Sequence, residues 1–312
     1  MNWKIKALLQ KLLSFTKIGD TLNHVPATLN KNYHYHVALY QTHECIRKFN
    51  YCTIDLTKSK TALEFGTGYS IISSIVLSLL GFQKIITVDI TKDISFSIVK
   101  KQVHYLDDPE ALKLIVLNSI YTEQEILEKI KTIKKATTLE AVLNLQYIEY
   151  IAPYTFKDLN SFSKKIDYIA SQVVLEHVHP EVLDELFKFT KDVLQEDLFC
   201  VHTINFIDHF TNPGFFQDPS ISEFNFLKYA DTDWDFWAGN TIAYTNRLSY
   251  LYYLELCKKY DLNVLDFIGE NYKERIELDA TQIHSDILAK YNPNIDIEDL
   301  TKYQRGTLII SK

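Results

Sequence analysis

Hydrophobic positions along the chain alternate between short strand-like runs and longer stretches with helical spacing. The run Thr61–Phe65 has the length of a buried strand, and apolar residues at positions 71–80 repeat at helical spacing with serines on the opposite face. Gly81 is placed to end that helix, and a second β-branched run follows at residues 84–90. Strands separated by helices in this way imply a parallel sheet.

Further strand-like runs follow along the rest of the chain. They are expected at residues 147–151, 167–171, 198–204, 263–268 and 307–310. A polar, helix-prone stretch fills residues 93–145, and another helix is expected after Pro180. Seven strands interleaved with helices predict an α/β fold with a doubly wound, seven-stranded and mostly parallel sheet.

The chain offers no clean domain boundary, because it contains no internal repeat, no low-complexity tract and no linker rich in proline, glycine or serine. Residues 1–58 are aromatic-rich and helical in pattern, so we expect an N-terminal extension that packs on the core. Residues 59–312 are expected to form the core domain, with insertions at about 93–145 and 205–250. One compact unit is the expectation.

The first turns of the chain have a basic amphipathic pattern. Apolar residues recur at helical spacing among lysines, at Ile5, Leu8, Leu9, Leu12 and Phe15. Such a helix can pack its apolar stripe on its own domain, or it can lie through residues 1–18 on an anionic membrane surface as a peripheral contact. The first arrangement is the prediction, and the second is the alternative.

Composition and charge narrow the classes of function. The chain of 312 residues has 46% hydrophobic and 23% charged residues, a formal net charge of -7 and a pI near 5.8. An acidic chain lacks a broad electrostatic surface for phosphate backbones, so we expect no nucleic-acid partner. The four cysteines contain no CxxC pair, and no apolar run reaches the about 18 to 20 residues that cross a bilayer. We therefore expect a cytoplasmic protein.

A glycine turn follows the first predicted strand. Gly66 and Gly68 let the backbone approach a ligand where a Cβ would collide, and the following helix presents free N–H groups, so a nucleotide-like ligand is implied. A dinucleotide fingerprint would need a third glycine where Ile71 stands, which removes the main support for a nicotinamide cofactor. Two acids flank the turn, with Glu64 before it and Asp89 at the end of the second strand.

The segment EFGTG, from Glu64 to Gly68, together with Asp89, resembles motif I and the acidic loop of class I S-adenosylmethionine-dependent methyltransferases. The resemblance implies S-adenosyl-L-methionine as the cofactor. It places the glycine loop, which includes Thr67, around the methionine end of the cofactor, with Glu64 near the amino group. Asp89 then accepts hydrogen bonds from both ribose hydroxyls, and such charge-assisted bonds are the stronger kind.

Later segments carry the same resemblance over roughly residues 60–270. They look like blocks of a methyltransferase group often associated with bacterial surface polysaccharide gene clusters, which implies a carbohydrate or other small-molecule acceptor. The segment LEHV, residues 175–178, is similar to the family stretch that passes the transferable methyl group, and Glu176 is assigned to acceptor binding. Ile90 and Gln172 are assigned to the cofactor site.

Three positions depart from the family pattern. Ser70 stands where many members carry a third glycine, and residues 195–197 replace the usual Pro-Gly turn before the fifth strand. Tyr154 and Thr155 stand where an acid often follows the third strand. This last departure concerns the adenine contact, and it leaves Thr155 or backbone amides to bind the edge of the base.

Methyl transfer is an in-line displacement at a sulfonium carbon, and a hydroxyl acceptor must also lose a proton. Doubly wound folds bind ligands near the carboxyl ends of strands. Candidate bases expected there are His177, His202, Asp208 and His209. His209 with Asp208 beside it is the preferred general base, and His177 is the alternative.

Metal ligands have no diagnostic pattern in the sequence. The pairs His34 and His36, and His177 and His179, could each supply two ligands, but no carboxylate or cysteine cluster accompanies them at a diagnostic spacing. The motifs of zinc proteases, serine hydrolases and P-loop proteins do not occur either. We therefore expect no catalytic metal.

The region 205–250 is dense in aromatic residues and also contains Asn246 and Arg247. Rings stacked on sugar faces, with amides and arginine binding hydroxyls or phosphate, suit a carbohydrate or nucleotide-linked acceptor. The same rings could instead fill the small core of a helical lid. O-methylation of a sugar or glycan precursor is the specific prediction. N- or C-methylation of another small metabolite, or non-catalytic S-adenosylmethionine binding, are the alternatives.

Overall fold

The computed structural model of the protein describes residues 1–16, 30–159, 166–211, 216–272, 274 and 276–312. Residues 17 and 18 of the predicted N-terminal helix, and Phe215 of the aromatic region, lie outside the described residues. Strands and helices alternate along the described chain, as the hydrophobic pattern predicts.

In the described part of the chain, seven strands form one sheet, and the predicted α/β fold is confirmed. Their order is β3-β2-β1-β4-β5-β7-β6, so the strand order reverses at β1 and β4, as in doubly wound folds. The strands are β1 (Thr61–Phe65), β2 (Lys84–Val88), β3 (Ile148–Ile151), β4 (Ile166–Gln172), β5 (Leu194–Asn205), β6 (Asn263–Glu270) and β7 (Arg305–Ser311).

β1 lies between β2 and β4 and pairs in parallel with both. Phe65, the last residue of β1, is in register with Val88 of β2 and with Ser171 of β4. β2 pairs in parallel with β3 in turn. The carboxyl ends of these strands therefore share one edge of the sheet, and doubly wound folds bind ligands at that edge, beside the point where the strand order reverses.

Helices connect the strands where the sequence pattern predicts them: after the glycine turn, within residues 93–145 and after Pro180. The helices are α1 (Trp3–Ser14), α2 (Tyr33–Phe49), α3 (Ile72–Leu80), α4 (Phe96–Gln102), α5 (Pro109–Asn118), α6 (Glu123–Lys135), α7 (Leu139–Leu145), α8 (Phe156–Leu159), α9 (Pro180–Val193), α10 (Asp231–Ala238), α11 (Tyr250–Lys259) and α12 (Ser285–Leu288). Thr122 and Glu125 form a complete capping box at the start of α6. Among the described helices, none combines the length and the apolar character that a membrane crossing requires.

The chain divides into two compact units, each built from several segments. The aromatic unit comprises Met1–Asn30, Val173–Phe187 and Thr203–Leu308, and the glycine-loop unit comprises Lys31–Gln172, Lys188–His202 and Ile309–Lys312. The prediction was one compact unit in which residues 1–58 form an extension of the core. In the structure, α2 belongs to the same unit as β1 to β4, whereas α1 belongs to the unit that contains segments after β4. Composition along the chain gives no sign of such an interleaved division, since it arises from tertiary packing.

α3 follows the glycine turn and is buried on every side. The serines predicted on the face opposite the apolar residues are buried as well. Ser73 Oγ donates to Gln41 Oε1 at 2.6 Å, and Ser74 Oγ donates to Glu64 Oε2 at 2.6 Å. These bonds satisfy the hydroxyls, so a helix with a polar stripe can lie fully inside the glycine-loop unit.

α1 packs within the aromatic unit through a different face from the predicted one. Trp3 is 4% exposed and Ala7 is fully buried, and the Trp3 ring lies 5.5 Å from that of Phe210 and 5.7 Å from that of Trp234. The stripe that was predicted to pack is exposed instead, at Ile5 (55%), Leu8 (48%), Leu9 (48%), Leu12 (57%) and Phe15 (78%). The large indole ring of Trp3 therefore determines which face of α1 is buried.

Several aromatic side chains of the region 205–250 form the core of the aromatic unit. The buried rings include Phe206, Phe210, Phe224, Phe226 and Trp234. Phe216 and Phe236 are exposed by 55% and 54%. The buried rings fill a core, which is the second of the two interpretations considered for this region.

Candidate functional site

The glycine turn after β1 has an open face. Gly66 and Gly68 have φ angles of 78° and 57°, and the N–H groups of Gly66 and Thr67 donate to the carbonyl oxygen of Val88 at 2.9 and 3.2 Å. A Cβ added at Gly68 would meet no described atom within 4 Å. The turn is thus fixed to β2 by its backbone, while the space beside Gly68 is free for a ligand.

Asp89 lies directly after β2 and contacts the glycine turn. Its Oδ2 accepts a hydrogen bond of 2.7 Å from Gly68 N, and its Oδ1 accepts from Thr91 N at 3.2 Å. A carboxylate has about four lone-pair positions, so Asp89 can still accept hydrogen bonds from a diol. Ile90, the next residue, is 74% exposed and leaves an apolar side chain beside the carboxylate.

Glu64 is turned into the glycine-loop unit. Its Oε2 accepts from Ser74 Oγ at 2.6 Å and from Thr87 Oγ1 at 3.3 Å, and the Thr87 hydroxyl also lies 2.7 Å from that of Thr67. Burial raises the pKa of Glu64, while the bond from Ser74 and the charge of Lys48 act in the opposite direction. In this conformation Glu64 links β1, β2 and α3 and does not offer its carboxylate to the amino group of a cofactor, contrary to the prediction.

Thr155 caps a helix. Its N–H and its hydroxyl donate to Asp158 Oδ2 at 2.7 and 2.8 Å, at the start of α8. Tyr154 N donates to the carbonyl oxygen of Asp89 at 3.1 Å, so the backbone after β3 is held beside the acid after β2. The carboxylate of Asp158, four residues after Tyr154, was not singled out in the sequence because it stands later than the family position.

A polar cluster on α2 was not predicted from the sequence. Lys48 Nζ donates to Gln172 Oε1 at 2.6 Å, and Gln172 Nε2 donates to Tyr40 OH at 2.9 Å and to Glu44 Oε2 at 2.8 Å. Burial lowers the pKa of Lys48 to about 8. Gln172 is the last residue of β4, so α2 brings a cation and an anion to the carboxyl end of that strand. The signal was the i, i+4, i+8 spacing of Tyr40, Glu44 and Lys48, which places the three side chains on one face of a helix.

The Asp208 carboxylate does not orient His209. Its Oδ1 accepts from Phe210 N at 2.8 Å and its Oδ2 accepts from Asn225 Nδ2 at 3.3 Å. Burial raises the pKa of Asp208 to about 7 and lowers that of His209 to about 3. Asp208 therefore stabilises its own loop, and a base with so low a pKa is poorly matched to neutral pH.

His202, another candidate base, lies inside the glycine-loop unit. Its ring nitrogens are 2.7 Å from Ser171 Oγ and 3.0 Å from Cys200 Sγ. Burial lowers the pKa of His202 to about 3. The side chain is fully buried, so it satisfies hydrogen bonds of the core rather than facing an acceptor.

Asn246 and Arg247 are committed to other residues of the aromatic unit. Asn246 Nδ2 donates to the carbonyl oxygens of Leu175 and Val178 at 2.7 and 2.9 Å. Arg247 donates to the carbonyl oxygen of Phe226 at 2.9 Å, and it forms further bonds to Tyr229 and Asp231. We therefore reassign both side chains from acceptor binding to holding the backbone.

The turn Leu175–His177 contains two predicted site residues and meets a third. Glu176, His177 and His209 each place one potential ligand atom within 4.8 Å of the others. Spacing in the sequence paired His177 with His179 as potential metal ligands, but the His179 ring stacks on Tyr244 with centroids 4.0 Å apart. The structure instead brings His177 together with Glu176, the residue before it in the sequence, and with His209 from the loop after β5.

A cavity of about 660 Å³ lies elsewhere in the aromatic unit. Acidic side chains dominate its lining, with Glu277, Asp279, Asp296, Glu298 and Asp299. None of the predicted cofactor or acceptor residues lines it. A cavity of this charge does not suit an anionic ligand, and we assign it no role.

No protein-family model and no curated protein matches the chain. Solved structures show a distant similarity. An S-adenosylmethionine-dependent methyltransferase from Mesorhizobium loti is 11% identical over 83% of this chain and 94% of its own, with a TM-score of 0.42. The PH0226 protein from Pyrococcus horikoshii OT3 is 13% identical over 92% and 95%, with a TM-score of 0.44. A geranyl diphosphate methyltransferase in complex with SAM is 8% identical over 90% and 91%, with a TM-score of 0.43. At this similarity, function has to be argued from the residues of the chain.

Proposed function

We propose that the protein is an S-adenosylmethionine-dependent methyltransferase. The observation that supports this most directly is the hydrogen bond of 2.7 Å from Gly68 N to Asp89 Oδ2. It joins the glycine turn after β1 to the acid after β2, at the edge where the carboxyl ends of these strands meet. The resemblance found in the sequence assigns the glycine turn to the methionine end and Asp89 to the ribose of the same cofactor.

The residues at this edge fit such a cofactor. The space beside Gly68, which an added Cβ would enter without meeting a described atom within 4 Å, admits a ligand close to the backbone. Asp89 retains lone pairs for the two ribose hydroxyls, and Ile90 offers an apolar surface for the adenine. When bound, S-adenosylmethionine supplies a methyl group on a sulfonium sulfur. The chain has to bind it, align it with the acceptor and exclude water.

The partner of the cofactor amino group differs from the predicted one in this proposal. Glu64 is held inside the unit by Ser74, so we assign the methionine end to the polar cluster of Tyr40, Glu44 and Gln172 at the carboxyl end of β4. Glu44, whose Oε2 also pairs with Arg47 at 2.9 Å, supplies the negative charge that an ammonium group requires. Binding of the adenine edge by Thr155 stays a prediction. Because its N–H and its hydroxyl hydrogen both donate to Asp158, Thr155 would take part as an acceptor, through its hydroxyl or carbonyl oxygen.

For the acceptor, we propose a hydroxyl of a sugar or of a glycan precursor. This part of the proposal is supported by the sequence resemblance alone. N- or C-methylation of another small metabolite remains the second candidate, and the lack of a base near the methyl group would favour it. His209, which the sequence predicts as the general base, is poorly matched to that role by its low pKa, and His209→Ala tests it: loss of a base should lower turnover about 100-fold or more with little effect on cofactor affinity.

Calorimetric titration with S-adenosylmethionine tests the cofactor assignment. Asp89→Ala should weaken binding by about 1.5 to 3 kcal/mol, as expected for hydrogen bonds to a charged group. Asp55→Ala is the matched control, because Asp55 Oδ1 accepts from Thr57 N at 3.1 Å in the same kind of turn, outside the proposed site. Equal affinity in Asp89→Ala and wild type would remove the ribose assignment.

A turnover assay separates an enzyme from a protein that only binds the cofactor. Release of S-adenosylhomocysteine is measured with panels of sugars, nucleotide-linked sugars and amines as acceptors. Turnover with the sugar panel supports O-methylation, and turnover with amines alone supports the second candidate. Cofactor binding without turnover on any panel, and without a small molecule retained through purification, would favour the non-catalytic alternative.

A further inference from the structure

Three potential metal ligands lie close together in the aromatic unit, although the sequence predicted no metal site. Glu176 and His177 lie on the turn Leu175–His177 that follows β4, and His209 lies in the loop that follows β5. One ligand atom of each lies within 4.8 Å of the others. A carboxylate with two imidazoles differs from an acidic surface cluster, because the histidines add neutral donors with directed lone pairs.

The side chain of Glu176 is buried and its two oxygens are poorly hydrogen-bonded among the described residues. The residue is 3% exposed, and neither Oε1 nor Oε2 has a hydrogen-bond partner of ordinary geometry in that part of the chain. A buried carboxylate that stays ionised needs a cation beside it.

Both imidazoles have a nitrogen suited to ligation. His177 Nδ1 lies 2.8 Å from the carbonyl oxygen of Tyr244, so the proton belongs on Nδ1 and the lone pair on Nε2. His209 Nε2 is buried and has no hydrogen-bond partner among the described residues. The two rings lie with their centroids 4.9 Å apart.

The segment around Asn246 holds the turn that carries two of the three residues. The Asn246 side chain binds the carbonyl oxygens of Leu175 and Val178, and its backbone N–H donates to Glu176 O at 2.8 Å. Arg247, the next residue, has a φ of 57°, a left-handed conformation that is costly for arginine. Such outer contacts orient metal ligands in the sites where they occur.

We propose that Glu176, His177 and His209 bind a divalent first-row transition metal ion through one carboxylate oxygen and two imidazole nitrogens. Two histidines with one carboxylate form a ligand set of zinc and related metal sites that leaves a coordination position open. Bonds of about 2.0 to 2.2 Å require donor atoms about 3.3 Å apart, so binding draws the three side chains together. The ion supplies the positive charge that a buried Glu176 carboxylate needs.

The use of this ion in catalysis rests on the proposed function. The open position would hold an oxygen of the acceptor and lower the pKa of a bound hydroxyl, whose proton would pass to solvent water. His209 then acts as a ligand and not as the general base. Both roles predict slower turnover in His209→Ala, so turnover alone does not distinguish them, whereas metal affinity does.

Metal binding to the full-length chain tests the proposal without reference to turnover. After EDTA treatment and dialysis, calorimetric titration with Zn²⁺ and visible absorption with Co²⁺ should show about one ion bound per chain. Glu176→Gln and His209→Ala should weaken the affinity by more than the about 10- to 100-fold that loss of an outer partner costs. Glu176→Gln keeps the size of the side chain and replaces the buried carboxyl group by a neutral amide, so its metal-free form should keep the wild-type melting temperature.

His179→Ala is the matched control, because His179 stands two residues from His177 but stacks on Tyr244. This variant should keep the wild-type metal affinity. The proposal would be overturned if the wild-type chain bound neither Zn²⁺ nor Co²⁺, or if Glu176→Gln and His209→Ala bound the metal as tightly as the wild type. Cofactor calorimetry is independent of this result: a chain that binds S-adenosylmethionine but no metal refutes the metal site alone, and a chain that binds metal but no cofactor refutes the methyltransferase alone.

Discussion

Gly68 and Gly81 are both required by the backbone, but for different reasons. Gly68 has a φ of 57° and open space where a Cβ would stand, whereas a Cβ at Gly81, with a φ of 129°, would lie 2.7 Å from Ile120 Cγ1. Gly68→Ala should cost about 1 to 2 kcal/mol of stability through its left-handed conformation and should weaken S-adenosylmethionine binding. Gly81→Ala should cost more, because it adds overpacking to an unfavourable backbone angle.

Thermal melts and cofactor calorimetry on the two glycine variants check this prediction. Gly81→Ala, once folded, should bind S-adenosylmethionine with wild-type affinity, since Gly81 ends α3 away from the turn. Undiminished cofactor affinity in Gly68→Ala would show that the ligand does not approach this face of the glycine turn.

Single residues were predictable where a short motif defines the local backbone. Gly68 and Asp89 could be paired from motif spacing, and they are joined in the structure by a hydrogen bond. The Lys48 and Gln172 pair, 124 residues apart in sequence, could not be predicted, because only tertiary packing of α2 brings the two together. The orientation of Glu64 was also unpredictable, since it depends on the serines of α3.

The first helix presents two faces with opposite energetic roles. Trp3 is 4% exposed and its ring contacts those of Phe210, Tyr229 and Trp234, whereas Leu8 is 48% exposed. Trp3→Ala should therefore lower the free energy of unfolding by about 3 to 5 kcal/mol, while Leu8→Ala should change it by less than about 0.5 kcal/mol.

Urea denaturation of both variants of α1 measures these changes. The two substitutions remove large apolar side chains from the same helix, so helix propensity is not the source of a difference between them. A large loss in Leu8→Ala would mean that the exposed stripe is covered in solution. A small loss in Trp3→Ala would mean that α1 is detached from the aromatic unit.

Elements were easier to predict from sequence than the faces they bury. Thr61–Phe65 was predicted at its observed bounds, and the other strands at theirs within a few residues, because short β-branched runs between helical patterns are a strong local signal. The buried face of α1 was assigned wrongly. Helical periodicity gives every apolar position the same weight. In the folded chain the large ring of Trp3 is buried, and the five apolar side chains of the predicted stripe are exposed.

The pH dependence of unfolding of the whole molecule should carry a contribution from one buried lysine. Burial lowers the pKa of Lys48 from 10.5 to about 8, while the charges of Cys45, Glu64 and Glu44 oppose the shift. Between about pH 8 and pH 10.5 the unfolded chain binds more protons than the folded chain, so Lys48 makes the free energy of unfolding rise with pH. Relative to Lys48→Met, wild type should gain stability as the pH rises from about 8 to about 10.5.

Urea denaturation at several alkaline pH values checks the prediction for Lys48. Other groups that titrate in this range cancel in the comparison of wild type with the variant. Lys58→Met is the control at a lysine whose side chain is 77% exposed, and it should give a constant difference from wild type. A constant difference for Lys48→Met as well would mean that Lys48 is solvated in the folded chain.

The interleaving of the two units has a consequence for how the protein is made. The glycine-loop unit begins at Lys31 but includes Ile309–Lys312, so a ribosome delivers its final strand segment only after nearly all of the aromatic unit. At about 5 to 20 residues per second, the stretch between Gln172 and Ile309 takes roughly 7 to 27 seconds to emerge. Within that interval, once β5 has emerged, it lacks β7, its neighbour in the sheet, and its open edge can pair with strands of other nascent chains. Slower initiation or more chaperone capacity during expression should therefore raise the yield of soluble protein, even when the stability of the finished fold is unchanged.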